Sequence, residues 1–339
     1  MTVDLHAHVI VPEITRDAGA GEDWRPRVFR DEGGTQVVEL GGRAVRSAVR
    51  EFVDVEAIVA AQEAVGIGHT VLCPWVPLLF YDADPGDGLR RSRIQNEALA
   101  ALARSHPSRL SALGAVPLQD PGAASGELQR LMGEGDLAGV EVAAGVRGAY
   151  LGDARFEPFW AAAEECGALV FIHPTTRGFE LTVLGDHYLW NTVGNPLETT
   201  VTAAHMVMAG VLERHQGLRV VLAHGGGALL ALRGRLRHAH GFQPQARAQL
   251  REPVDRSLRR FYYDTVTHDP ELLRAVVGFA GTERVVLGTD YPFDMADERA
   301  VDTVRACGLE PAAEEAILGG NAERLLGLER AGREEEMIG

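Results

Sequence analysis

Short apolar runs recur along this chain, separated by longer alanine- and leucine-rich segments. In order the runs are "VDLHAHVIVP", "HTVLCPW", "LSALGAVP", "GVEVAAG", "ALVFIHP", "RVVLAHGGG", "FYYDTVT" and "RVVLGTDYP". Most are apolar along most of their length, as strands covered on both faces are. Between them, "RIQNEALAALARSH", "GELQRLMGEG", "FEPFWAAAEECG", "TTVTAAHMVMAGVLERH" and "ELLRAVVGFAG" carry apolar residues at helical spacing. Strands alternating with helices predict an α/β fold whose parallel sheet closes into a (β/α)8 TIM barrel. An open doubly wound sheet is the alternative, but no glycine fingerprint follows the first strand. The regular pattern lapses at about residues 12–50, rich in Gly, Arg, Asp and Glu. There "TQVVELGGRAVRSAV" reads as a β-hairpin turning at Gly41-Gly42. The prediction is a single barrel domain over residues 1–339 with a small insertion after strand one.

A barrel of this kind places its chemistry at the C-terminal ends of its strands. Residues i and i+2 of a strand share a face, so His6 and His8 project side by side, as two ligands of one metal ion would. The pair His238 and His240 in "RHAHG" is a control. It follows the helix-like "LLALRGRLR", where i and i+2 do not face each other, and reads as a solvated helix end. His173 ends run five, His224 ends run six, Asp290 ends run eight, and Asp264 lies in run seven. Any one of these could be an ordinary polar residue at the edge of a core. Together, at one end of the barrel, they predict a metal site.

Composition narrows the partners. The net charge of −15 argues against a nucleic acid or an anionic membrane, but a few arginines can still dominate one pocket for a small anion. The three cysteines, Cys73, Cys166 and Cys307, are too few and scattered for a disulfide framework and fit a reducing compartment. No apolar run is long enough to span a bilayer. The first strand starts almost at Met1, leaving no room for a leader, so a cytoplasmic location is expected.

The motifs "DLHAH", "FIHP", "AHGGG" and "GTDYPF" resemble the amidohydrolase superfamily. Within it the chain is most similar to the aminocarboxymuconate-semialdehyde decarboxylase family, which also contains metal-dependent hydroxybenzoate decarboxylases. The likeness extends to "GRAVR", "NPLETT", "HDP" and "GNAERLLGLER". It implies that His6, His8, His173 and Asp290 hold one divalent metal with a water. His224 then acts beside them as acid or base, with Asp290 a second possible proton donor. Three imidazoles and one carboxylate suit zinc, the expected metal, and manganese is compatible with the same set. Strand four carries no lysine of the kind that bridges two metals in other branches, so one ion is expected.

The resemblance also implies two arginines on the substrate carboxylate. These are Arg46 in the hairpin and Arg235 in "LRGRLR", the latter reaching across a homodimer interface. Arg43, Arg50 and Arg233 lie close in register. A guanidinium can grip a carboxylate with two parallel hydrogen bonds. Phe293 is retained, whereas Thr175 stands where the namesake has a tryptophan, and Asn191, beside Trp190, aligns near another. The metal chemistry thus looks intact while the pocket wall differs. The expected activity is non-oxidative decarboxylation of an unsaturated or aromatic acid bearing a neighbouring hydroxyl, amino or carbonyl group. The alternative is a metal-dependent hydrolase or hydratase acting on a lactone, amide or conjugated double bond.

Overall fold

Parallel strands follow one another in the order of the apolar runs. They are β1 (Val3–Val9), β2 (His69–Pro74), β3 (Leu110–Ala112), β4 (Gly139–Ala143), β5 (Leu169–His173), β6 (Arg219–Leu222), β7 (Tyr262–Asp264) and β8 (Val285–Val286). This computed structural model describes residues 1–18 and 22–328. Residues 19–21 of the expected insertion and the end of the expected 1–339 domain lie outside the described residues. Continuous ladders form two arcs, β1-β2-β3 and β4-β5-β6-β7-β8. Single parallel bridges, Gly114 to Val140 and Ala7 to Tyr291, join the arcs into a ring. A helix follows each strand: α1 (Val55–Ala64), α2 (Pro85–Ser105), α3 (Pro121–Glu134), α4 (Glu157–Cys166), α5 (Asn195–Met208), α6 (Leu229–Phe242), α7 (Pro270–Ala280) and α8 (Ala300–Ala306). Asp54, Asp120 and Asp269 cap α1, α3 and α7 by accepting from the first free N–H groups. No helix among the described residues is long and apolar enough to cross a membrane.

Two apolar layers hold the ring. Val3, Leu5, Val71, Leu113, Phe171 and Val221 fill the barrel. Ile58, Leu128, Phe159, Trp160 and Leu258 belong to a second cluster that packs the helices onto it. β1 contributes to both. Val3 and Leu5 belong to the first, whereas Ala7 and Val9 belong to the second. A register shift against β2 between Asp4 and Ala7 marks a bulge there. A bulge reverses the side-chain alternation, and His6 and His8 therefore point into the barrel above Leu5.

Three runs are shorter as strands than their apolar character predicts. "LSALGAVP", "FYYDTVT" and "RVVLGTDYP" form only three, three and two residues of ladder. Beyond β7 and β8 the backbone donors turn to side chains. Val266 N–H donates to Asp264 Oδ1 (3.1 Å), Gly288 N–H to Thr265 Oγ1 (3.1 Å) and Thr289 N–H to Asp4 Oδ1 (3.0 Å). The helix expected over "TTVTAAHMVMAGVLERH" stops at Met208, and Gly210, at φ 71°, separates it from the turn Val211–Arg214. In the insertion, strands Gln36–Leu40 and Arg43–Val45 form the expected hairpin around Gly41 and Gly42, both with positive φ. Arg27–Arg30 adds an unforeseen third strand.

Candidate metal centre and active site

His6 and His8 lie on β1, His173 is the last residue of β5, and Asp290 follows β8. Each offers one ligand atom, and the four atoms lie within 4.8 Å of one another, all on buried residues. Asp290 adopts the left-handed φ of 61°, uncommon for a residue with a Cβ. Its N–H is held by the carbonyl of His6 (2.8 Å).

The hydrogen bonds behind the imidazoles fix their tautomers. His6 Nδ1 faces Asp264 Oδ2 at 2.7 Å, His8 Nδ1 faces the Pro74 carbonyl at 3.1 Å, and His173 Nδ1 faces the Pro174 carbonyl at 2.9 Å. All three partners are acceptors, so each Nδ1 carries the proton and each neutral ring presents a bare Nε2. These Nε2 atoms converge. Those of His6 and His8 stand 3.2 Å apart, that of His6 lies 3.2 Å from Asp290 Oδ1, and that of His173 has no partner. Buried lone pairs aimed at one another are costly unless a proton or a cation lies between them. A divalent cation satisfies all of them, and three nitrogens with one carboxylate oxygen form a donor set that zinc or manganese accepts.

The electrostatics point the same way. Burial disfavours charge on His6, yet the Asp290 and Asp264 carboxylates outweigh it and push the imidazole up to about 10. Burial pushes His173 well below the usual imidazole range, and His8, His6 and His224 add to the effect. Burial alone would raise Asp290, but His6, His224 and His8 hold it well below the usual carboxylate range. His6 and Asp290 thus favour positive charge in the cluster, while burial keeps His8 and His173 as neutral lone-pair donors.

His224 stands at the rim. Its Nε2 is 3.5 Å from Asp290 Oδ2, the oxygen opposite the one that faces His6. The glycines after it, Gly225 to Gly227, all have positive φ, and a Cβ on Gly227 would lie 2.0 Å from the Pro196 carbonyl oxygen. This close packing against the start of α5 fixes the backbone beside His224. Asp264 Oδ1 accepts the Gly225 N–H at 2.7 Å while Oδ2 holds His6, so one buried carboxylate serves both.

The aromatic wall beside the metal ligands runs from Phe293, 5.4 Å from the His8 ring, through Phe52 to Trp75. Trp190 and Asn191 lie on the turn of π-helix Trp190–Gly194. Tyr188, stacked edge-on with Trp190, donates its hydroxyl to Asp294, one residue beyond Phe293. Thr175 is turned to Glu198, which takes its hydroxyl (2.6 Å) and the Phe179 N–H (3.0 Å). Neither predicted arginine meets the metal cluster within this chain. Arg46 is exposed, 3.8 Å from Asp31, and Arg235 is exposed on α6. Arg50 pairs with Glu298, and Arg233 lies over the Phe279 ring. His238 is exposed on α6, as its spacing predicted, whereas His240 bonds the Leu250 carbonyl.

Sequence reasoning missed the groups behind the ligands. Asp4, Gln62 and Thr289 form a buried polar node. Glu141, on β4, is fully buried, lies 3.8 Å from His8 Nδ1, and has no hydrogen-bond partner for either oxygen. Burial pushes its carboxyl well above the usual range. A charged residue inside an apolar strand pattern was the available signal for Asp4 and Glu141. Gln62 and Thr289 carry no such signal.

A parallel barrel with a histidine-rich metal centre at its strand ends defines a metal-dependent barrel enzyme. The chain belongs to the amidohydrolase family, whose model matches residues 80–328. It is 32% identical, over 75% of its own length and 71% of the relative's, to 2-amino-3-carboxymuconate-6-semialdehyde decarboxylase of Dictyostelium discoideum. Among solved structures it resembles IDCase of Metarhizium anisopliae in apo form (TM-score 0.83, 24% identity, 97% of each chain). It also resembles a dihydroxybenzoic acid decarboxylase of Polaromonas sp. JS666 with bound manganese and the inhibitor 2-nitroresorcinol (TM-score 0.78, 21% identity, 97% of each chain).

Proposed function

We propose that this chain is a lyase that removes carbon dioxide, without oxidation, from an unsaturated or aromatic acid with a neighbouring hydroxyl, amino or carbonyl group. The observation that carries the reading is the set of convergent bare Nε2 atoms of His6, His8 and His173 with Asp290, and His224 directly beside it. A bound divalent ion supplies Lewis acidity and lowers the pKa of its water. We assign to His224, 3.5 Å from the rim oxygen of Asp290, the proton that replaces the departing carboxylate. Phe293 and Trp190 offer flat apolar surface to a planar substrate, and Asn191 a polar edge. The relatives with decarboxylase names act on acids of this planar kind, 2-amino-3-carboxymuconate-6-semialdehyde and dihydroxybenzoic acid. Zinc is our preferred metal from the donor set. The manganese of the Polaromonas structure makes it the rival, and elemental analysis of purified protein decides.

A substrate carboxylate calls for cationic partners. We assign this role to Arg46 of the same chain and to Arg235 of a second copy. The exposed apolar side chains Leu181, Val183, Val193, Leu232 and Phe242 lie on the loop before α5 and on α6, the stretch that carries Arg235. They give a two-fold partner apolar surface to cover. Three free cysteines and the absence of a spanning helix among the described residues are compatible with a cytoplasmic enzyme. The test is a screen of salicylate-, anthranilate- and muconate-type acids with product analysis by mass spectrometry. Carbon dioxide release with one proton gained is expected. Water incorporation without carbon dioxide would replace this reading with a hydrolase or hydratase.

A further inference from the structure

We infer that Asp4 is a positioning residue that holds the two ligand-bearing segments of the metal centre in register. The inference rests on the metal-centre reading and names what keeps that centre assembled. Three of the four ligand-type residues, His6, His8 and Asp290, lie along the seam where β1 meets β8. That seam has one isolated bridge, Ala7 to Tyr291, and three backbone hydrogen bonds, from Leu5 N–H to Leu287, His8 N–H to Tyr291 and Asp290 N–H to His6. It is also where the β1 bulge turns both histidines inward. The bulge takes the His6 N–H out of the ladder, and a buried donor needs an acceptor.

Asp4 provides it and more. Oδ1 accepts the N–H of His6 (3.0 Å) and the N–H of Thr289 (3.0 Å). Oδ2 accepts the Thr289 hydroxyl (2.6 Å) and Gln62 Nε2 (2.7 Å), the latter reaching in from α1. Four donors fill the roughly four lone-pair sites of one carboxylate. Three of the four come from a ligand-type residue or its neighbour: the His6 N–H belongs to such a residue itself, and the Thr289 N–H and hydroxyl come from the residue that directly precedes Asp290. Asp4, Gln62 and Thr289 are all buried, so water cannot replace the bonds. None of their side chains is in the ligand cluster. Asp4 therefore sets where His6 and Asp290 stand relative to each other while remaining outside the chemistry.

Asparagine can keep this pattern if the Gln62 amide and the Thr289 hydroxyl turn to accept, whereas alanine cannot. The test measures metal affinity by chelator competition, and the visible spectrum of the cobalt-loaded protein, in Asp4→Ala and Asp4→Asn. Asp4→Ala should bind metal about 10–100-fold more weakly with altered cobalt bands, and Asp4→Asn should recover most of the affinity. A metal-free melting temperature that falls in Asp4→Ala while affinity and cobalt bands match the wild type overturns the inference. So does an asparagine variant no better than alanine. Should Asp4→Ala fail to fold, Thr289→Val and Gln62→Leu each remove one donor. Unchanged affinity and cobalt bands in both reject the role. Wild-type protein that binds no metal rejects the metal reading instead.

Discussion

His6, His8 and His173 differ from His224 in where their second nitrogen is anchored. The first three have Nδ1 held by an acceptor and Nε2 bare, while His224 Nδ1 has no partner and its Nε2 faces Asp290. Ligands and proton carrier should therefore separate on mutation. Purified protein should contain about one equivalent of divalent metal, as one cluster of three histidines and one carboxylate holds one ion with a position left for water. A double His6→Ala, His8→Ala variant should lose it, read by elemental analysis. His224→Ala should keep the metal and lose on the order of 100-fold or more in turnover. Loss of metal from His224→Ala would make it a ligand.

Elements are joined by contacts that the residue pattern does not display. Glu157 opens α4, and its carboxylate takes the Arg214 guanidinium (2.7 and 3.1 Å) and His215 Nε2 (2.9 Å) from the turn after α5. Arg214 first, then His215, hold Glu157 down from 4.5 to about 2 against the effect of burial. A depressed carboxylate stabilises the fold above its unfolded pKa and stops doing so as pH falls through its folded value. Glu157→Gln should thus lower the melting temperature at pH 7, modestly because the pair is partly exposed. The gap from wild type should close as pH drops from about 4.5 toward about 2, measured by thermal scans across pH. A gap that widens on acidification refutes the assignment. The glycine triplet ties β6 to α5 through backbone contact. Gly227→Ala, at φ 63° with its Cβ driven onto the Pro196 carbonyl, should cost more than about 1 kcal/mol, read by denaturant unfolding.

At the scale of the molecule, the active site proposed here is shared. In the proposed two-fold dimer each chain would give one Arg235 and receive one. A chain without its partner would lose a charged hydrogen bond worth about 1.5–3 kcal/mol to the substrate. Mixing the inactive variants Arg235→Ala and His224→Ala should restore activity, because a hybrid dimer has one site with both defects and one with neither. No recovery after verified subunit exchange would place Arg235 outside the partner's site.

The barrel and the residues that cluster at its mouth were legible in the chain itself. Apolar runs alternating with helical segments mark the strand order, because strands buried on both faces must be apolar throughout. Histidines and an aspartate at the ends of those runs mark the cluster of ligand-type residues, because strand ends face the barrel mouth. What the tertiary structure alone decided is how those residues are held. Strand length depends on where each N–H finds its acceptor, and after β8 that acceptor is Asp4, far away in the chain. The inward turn of both His6 and His8 depends on a bulge set by pairing with β2. The tautomers of the ligands depend on Asp264 and on the carbonyls of Pro74 and Pro174. Local periodicity reports burial, whereas these are contacts between residues distant in sequence, and only the closed ring brings them within hydrogen-bonding reach.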